Sequence, residues 1–141
     1  MEIKTAKEIR EAMKNKFENN SQLAFEFICS HIMKKIEKTA LNDASFFTTY
    51  NFEIQDYVNR ACINIEDLSP IKGEEEKVFN YLKYIINSYK DNSDKELYNA
   101  FESQVVTLLI EKGYTVEKEE GLLNRFKITI RWDKEDTEEN K

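Results

Sequence analysis

The chain has 141 residues, about the length of a single domain, and 40% of them are hydrophobic and 12% aromatic. That apolar content excludes wholesale disorder, and three Gly with one Pro argue against a turn-dense all-β sandwich or barrel. A net charge of −6 speaks against a generic binder of polyanions, which needs Lys and Arg to displace phosphate counterions. The acidic excess is local: residues 1–60 hold nine acids and nine bases, whereas residues 61–141 hold eighteen acids and twelve bases.

Thr5-Ala6-Lys7-Glu8 has the spacing of a capping box, which predicts a helix from about Ala6. Ile9, Met13 and Phe17 share one face of it. After Asn19-Asn20-Ser21 a second stripe begins at Ala24, Phe25, Ile28, Ile32 and Ile36, rotated against the first, so the helix bends near Asn20 or two helices meet there. Asn42-Asp43 closes the helical region. From Ser45 to Ile54 the period becomes two, with Phe46, Thr48, Tyr50, Phe52 and Ile54 on one side and Phe47, Thr49, Asn51 and Glu53 on the other, which predicts a strand. Tyr57, Val58, Ala61, Cys62 and Ile65 suggest a short helix ending before Pro70.

Gly73 followed by three glutamates reads as a helix start, because carboxylates in a first turn complement the helix dipole. Its core stripe is Val78, Phe79, Leu82, Ile85, Ile86 and Tyr89. Ser93-Asp94-Lys95-Glu96 reads as a second capping box, opening a helix with the stripe Leu97, Phe101, Val105, Leu108 and Leu109 that ends at a left-handed Gly113. Val106 and Ile110 lie off that stripe, so this helix should be covered on two sides, by its own domain or by a partner. Residues 114–117 and the strict alternation Phe126 to Trp132 predict a β-hairpin around an acidic turn. Together with the 45–54 strand it would form a small three-stranded antiparallel sheet, so the expected fold class is α+β, with a single domain over 1–132 and an acidic disordered tail over 133–141.

The residues offer little to build a catalytic centre from. His31 is the one histidine, and two residues along a helix from Cys29 it points about 200° away, so the two cannot form a dyad. One imidazole without clustered Cys or carboxylates gives no metal site. Gly73, Gly113 and Gly121 are isolated, so no phosphate-cradling loop exists. Asp91-Asn92-Ser93-Asp94 lacks the glycine and the twelve-residue pattern of a calcium loop, and Glu75-Glu76-Lys77 opens a helix where a nuclease motif would end a strand. No catalytic residue, metal or cofactor is therefore expected, and the chain reads as not an enzyme. Cys29 and Cys62, in apolar surroundings without Cys-x-x-Cys spacing, read as buried thiols of a reducing compartment. The opening Met1-Glu2-Ile3-Lys4 leads straight into charged helical sequence, and no segment is apolar enough for a membrane span, so a cytoplasmic location is expected.

The order of helices and strands matches winged-helix topology, with residues 95–112 as the recognition helix and 118–126 as the wing. Acids outnumber bases in both, which argues against nucleic acid as the partner. A basic strip from Lys34, Lys35, Lys38 and Arg60, or from Lys127 and Arg131, would be required. What remains is surface. Tyr81 and Tyr84 project off the main stripe of their helix, Val106 and Ile110 off theirs, and Phe47 sits on an otherwise polar strand face. These five residues form the candidate partner surface, although packing between helices would also explain each one singly. Homo-oligomerisation would use the same surplus.

The ending Leu-Ile-Glu-Lys-Gly-Tyr-Thr-Val from Leu109, an acidic turn and then Phe-Lys-Ile-Thr-Ile-Arg-Trp resembles the C-terminal end of small uncharacterised proteins of tailed phages and prophages of low-GC Gram-positive bacteria. The opening Thr-Ala-Lys-Glu-Ile is similar to theirs as well. The resemblance implies no catalytic residue. It implies an accessory protein that acts by binding, and about a third of the chain carries it. The partner expected on that basis is a host or phage protein, with inhibition of a host or defence protein as the most concrete form.

Overall fold

The computed structural model describes residues 2–54, 65–118 and 125–133. The helix expected at 57–65, the tip of the hairpin and nearly all of the expected tail lie outside these residues. Among the described residues, four α-helices and three strands follow in the order α1 (Ala6–Phe17), α2 (Ser21–Asp43), β1 (Phe47–Asn51), α3 (Glu75–Lys90), α4 (Lys95–Glu111), β2 (Thr115–Lys118) and β3 (Lys127–Arg131). Single 3-10 segments at Glu18–Asn20 and Ile65–Ile71 precede α2 and α3. The class is α+β, with helices packed on one small antiparallel sheet.

The capping box at Thr5 forms in full: the Glu8 amide donates to the Thr5 hydroxyl at 3.1 Å, and the Thr5 amide donates to the Glu8 carboxylate at 2.8 Å. These bonds hold the Glu8 carboxyl below the usual carboxylate range. The break expected near Asn20 is the 3-10 turn Glu18–Asn20, which joins two separate helices. Gly73 and Gly113 both adopt positive φ, +86° and +95°, as a turn and a helix end require. The second cap differs from the expected box. Asp94 is the N-cap, accepting from the Glu96 amide at 3.1 Å, while the Ser93 hydroxyl donates to the Ser88 carbonyl. Pro70 lies inside the 3-10 turn instead of beyond a helix end.

In the sheet, β3 runs between β1 and β2 and is antiparallel to both. Phe47 faces Arg131, Tyr50 faces Ile128, and Thr115 faces Arg131 from the other side. β1 is shorter than the alternation suggests, because pairing with β3 ends after one further bond from the Phe52 amide to the Phe126 carbonyl. Phe52 and Ile54 are nevertheless buried. Phe46, assigned by alternation to the core side, is 62% exposed and lies just before β1, which begins at Phe47.

The core joins α2, α3, α4 and the inner sheet face. Edge-to-face aromatic contacts run through it from His31 to Tyr50, Phe52, Tyr98, Phe126 and Tyr89, with centroids 4.9–5.9 Å apart. α4 is turned from its expected orientation: Tyr98, Phe101, Glu102, Val105 and Leu109 are buried, whereas Leu97 and Leu108 are only half-buried. All five buried residues share one arc of about 100°, so the expected second covered side is not present: Val106 is half-buried and Ile110 exposed. Cys29 is a free thiol packed at the core's edge and not fully buried, and partial burial pushes its pKa up to about 11. Cys62 lies outside the described residues.

Candidate interaction surface

The five residues proposed for a partner surface separate in the structure. Tyr81 is only 6% exposed and packs against Phe101 at 5.7 Å, so it belongs to the core; α3 is covered over a wider arc than its main stripe. Tyr84 is half-buried and stacks on Phe17 at 5.2 Å, which ties α1 to α3. Val106 is half-buried against the core. Ile110, 55% exposed, and Phe47 remain open, and the Arg131 guanidinium lies 5.0 Å from the Phe47 ring centre.

Phe47 and Ile110 lie at the same end of the sheet, with exposed neighbours that periodicity alone does not single out. The Trp132 amide donates to the Phe46 carbonyl at 3.0 Å, extending the β1–β3 pairing outward. Trp132 meets Tyr114 edge-on at 6.4 Å, and Tyr114 follows directly from the last turn of α4, where its amide donates to the Leu109 carbonyl. A left-handed Ala44 ends α2, and the Ser45 amide donates back to Thr39, so the chain turns three residues after Leu41. Leu41 is 81% exposed. Leu41, Phe46, Phe47 and Ile110 are thus exposed toward this end of the molecule, where the register puts Phe46 in line with the half-buried Trp132 and Tyr114 on one sheet face, and Phe47 in line with Arg131 and Thr115 on the other. The exposed charges here are Asp43, Glu111, Glu117 and Asp133 together with Lys112. Arg131 is held there by Glu117 at 2.7 Å and lies 4.0 Å from Asp133.

α1 is the second open surface. None of its residues is buried, and Ile9 and Met13 are exposed, as is Ile3 just before it. Phe17, at its last position, is only half-buried.

Among the described residues, no buried side-chain nitrogen or oxygen lacks a hydrogen-bond partner. Glu102 is buried and accepts from the Tyr98 hydroxyl at 2.7 Å, while its other oxygen meets Lys118 at 2.8 Å. Burial first, and then the Glu102 charge, push the Tyr98 hydroxyl far above its ordinary pKa. The i, i+4 spacing of Tyr98 and Glu102 allowed this pair, but nothing in the sequence indicated that the hairpin would cover it. His31 Nδ1 and the Tyr50 hydroxyl share a hydrogen bond of 2.8 Å, and Phe27 stacks on the imidazole. Lys35 donates to the Thr49 carbonyl, and burial together with the nearby Lys127 charge lowers its pKa. Lys35 and Lys127, one from each of the two alternative basic strips considered above, therefore lie near one another; Arg60 lies outside the described residues. No group of three or more His, Cys, Asp or Glu able to hold a metal occurs among the described residues. No helix among them is long and apolar enough to cross a membrane.

Comparison with known proteins finds no family, no curated protein and no solved structure that matches the chain.

Proposed function

We propose that the chain is a non-enzymatic, cytoplasmic accessory protein of the phage or prophage kind that its C-terminal sequence resembles, acting by protein–protein interaction to block a host or defence protein. The observation that carries the reading is the end patch. Leu41, Phe46 and Ile110 stand exposed there near the half-buried Trp132 and Tyr114, and Phe47 is exposed under Arg131 on the other sheet face. Interface cores favour aromatic residues, which bury much area while losing few rotamers. A polar rim around an apolar centre is the usual layout of such a surface.

The test is capture from a Gram-positive host lysate with the tagged chain beside a Leu41→Lys/Phe46→Lys variant. Both positions are exposed, so the variant should fold normally. A host protein held in stoichiometric amount by the wild type and lost by the folded variant is expected. Retention by the variant would remove the patch from the interaction.

One observation favours a second reading, a winged-helix-like nucleic-acid-binding regulator. With β3 central, the strand order is the one that topology requires. Three bases of the hairpin are, however, already engaged: Lys118 with Glu102, Arg131 with Glu117, and Arg125 against the Tyr89 ring at 4.6 Å. A gel shift at low salt that weakens as salt rises would support this reading, and no shift at low salt would end it.

A further inference from the structure

The three lysines of α2 share one side of the helix. At about 100° per residue, Lys34, Lys38 and Lys35 fall within about 100° of arc, and all three residues are exposed. The three acids of α2, Glu26, Glu37 and Asp43, lie at least about 110° from the centre of that arc. His31, inside the arc, is half-buried and bonded to Tyr50. The arc borders the open edge of β1. The Trp132 amide donates to Phe46 and the Phe52 amide to Phe126, so even-numbered residues of β1 pair with β3 and the Thr49 carbonyl points outward, where Lys35 donates to it. On the outer sheet face Lys127 stands opposite Asn51 and diagonal to Thr49, so a fourth lysine approaches from β3. Lys35, with its ammonium turned in to Thr49, has its pKa lowered first by burial of that group and then by the Lys127 charge. The nearby acids are engaged elsewhere: Glu53 holds Lys90 at 2.6 Å, Glu117 holds Arg131 at 2.7 Å, and Asp133 lies 4.0 Å from Arg131. Among the described residues, none of the four lysines forms an ion pair with a carboxylate.

Like charges one turn apart on a helix repel, as do Lys34 and Lys38, and the approach of Lys127 to Lys35 adds a second repulsion across the sheet edge. We propose that Lys34, Lys35 and Lys38 of α2, with Lys127 of β3, form a contact for the phosphate backbone of a nucleic acid. Phosphate oxygens set among the ammonium groups would offset both repulsions, and the lysines would displace counterions from the backbone. The strip holds no large apolar side chain, and the nearest exposed one, Leu41, stands about one turn beyond Lys38. A lipid-facing helix needs an apolar stripe between its bases, and a folded protein partner needs an apolar interface core. A regular polyanion needs neither. The net charge of −6 does not forbid the contact, because the acidic excess belongs to residues 61–141 and salt screens exposed charges beyond about 8 Å. This inference goes beyond the interaction surface at the sheet end. It takes up the nucleic-acid reading and moves the contact from α4 and the hairpin to α2.

The test is fluorescence anisotropy of a labelled DNA of about 20 nucleotides, as single strand and as duplex, titrated with the full chain between about 50 and about 200 mM salt. Both forms should bind, since the contact is to the backbone, and log affinity should fall against log salt with a slope of about −3, as four phosphate contacts give. The variant Lys34→Gln/Lys38→Gln/Lys127→Gln spares the Lys35 bond to Thr49 and should keep its native circular dichroism. It should bind more than about tenfold more weakly at low salt, with the slope reduced to about −1. The variant Lys7→Gln/Arg10→Gln/Lys14→Gln makes the same change of net charge on α1 and should leave affinity and slope nearly unchanged. Equal losses in the two variants would reduce the effect to net charge and overturn the proposal. So would a wild type that binds phosphatidylglycerol vesicles or polyglutamate but not DNA. Displacement of the DNA by inorganic phosphate beyond the effect of its ionic strength would make this a site for a free anion and overturn it as well. DNA binding that survives in the strip variant would remove the strip and leave the winged-helix reading standing. No binding to DNA at low salt would end both, and neither outcome bears on capture of a host protein at the sheet end.

Discussion

α1 and α3 are both amphipathic helices that open with acidic residues in the first turn and close with Lys in the last, yet α3 buries seven residues and α1 buries none. The difference lies in what surrounds them. α3 lies between α2, α4 and the aromatic groups of the sheet end, so Tyr81 and Ser88 are buried as well as its main stripe. α1 meets the body chiefly through its last residue, Phe17. An apolar stripe states that a face needs cover; it does not say that the same chain supplies it.

The sharpest way to break this comparison is to truncate equivalent positions on the two helices. Ile85→Ala should cost about 3–5 kcal/mol in chemical denaturation, since Ile85 is fully buried and a cavity would remain. Ile9→Ala in the dilute protein should cost less than about 0.5 kcal/mol. Equal costs would mean that α1 is packed after all. Between these extremes, Glu102→Ala should cost about 1–3 kcal/mol by leaving the buried Tyr98 hydroxyl without its acceptor. Lys118→Met should cost less, because that ammonium is half exposed and can return to water.

Two smaller effects sharpen the account. In a Cys62→Ser background, Cys29 should react with a thiol reagent at pH 8 about 100-fold more slowly than a thiol of ordinary pKa, since a rise of two units cuts the thiolate that much. The rate should still be climbing through pH 10. Acid should loosen the start of α1. The Glu8 carboxyl is held below its ordinary pKa, so its contribution to the helix is complete above the unfolded value, about 4.3, and disappears as pH falls through the lower folded value. Thr5→Ala should remove that acid-dependent loss of helicity.

The sequence made the fold class legible wherever local chemistry decides structure. The Thr5 box, the glycines at 73 and 113 and the period-two runs each name a backbone conformation without tertiary help. It misled where covering elements decide. Alternation put Phe46 on the core side, but it precedes the paired strand and is 62% exposed. Tyr81 read as surface because Phe101, twenty residues on, was not visible as its neighbour. The exposed end patch was half legible: Phe47 and Ile110 were singled out, whereas Leu41, Phe46, Tyr114 and Trp132 join them only through the sheet register and the turn after α2.

The most direct test of the central claim is amide hydrogen exchange across α1 in the dilute protein. The account predicts that amides of residues 9–17 exchange far faster than those of α3. Protection of α1 equal to that of α3 in the dilute protein would contradict it.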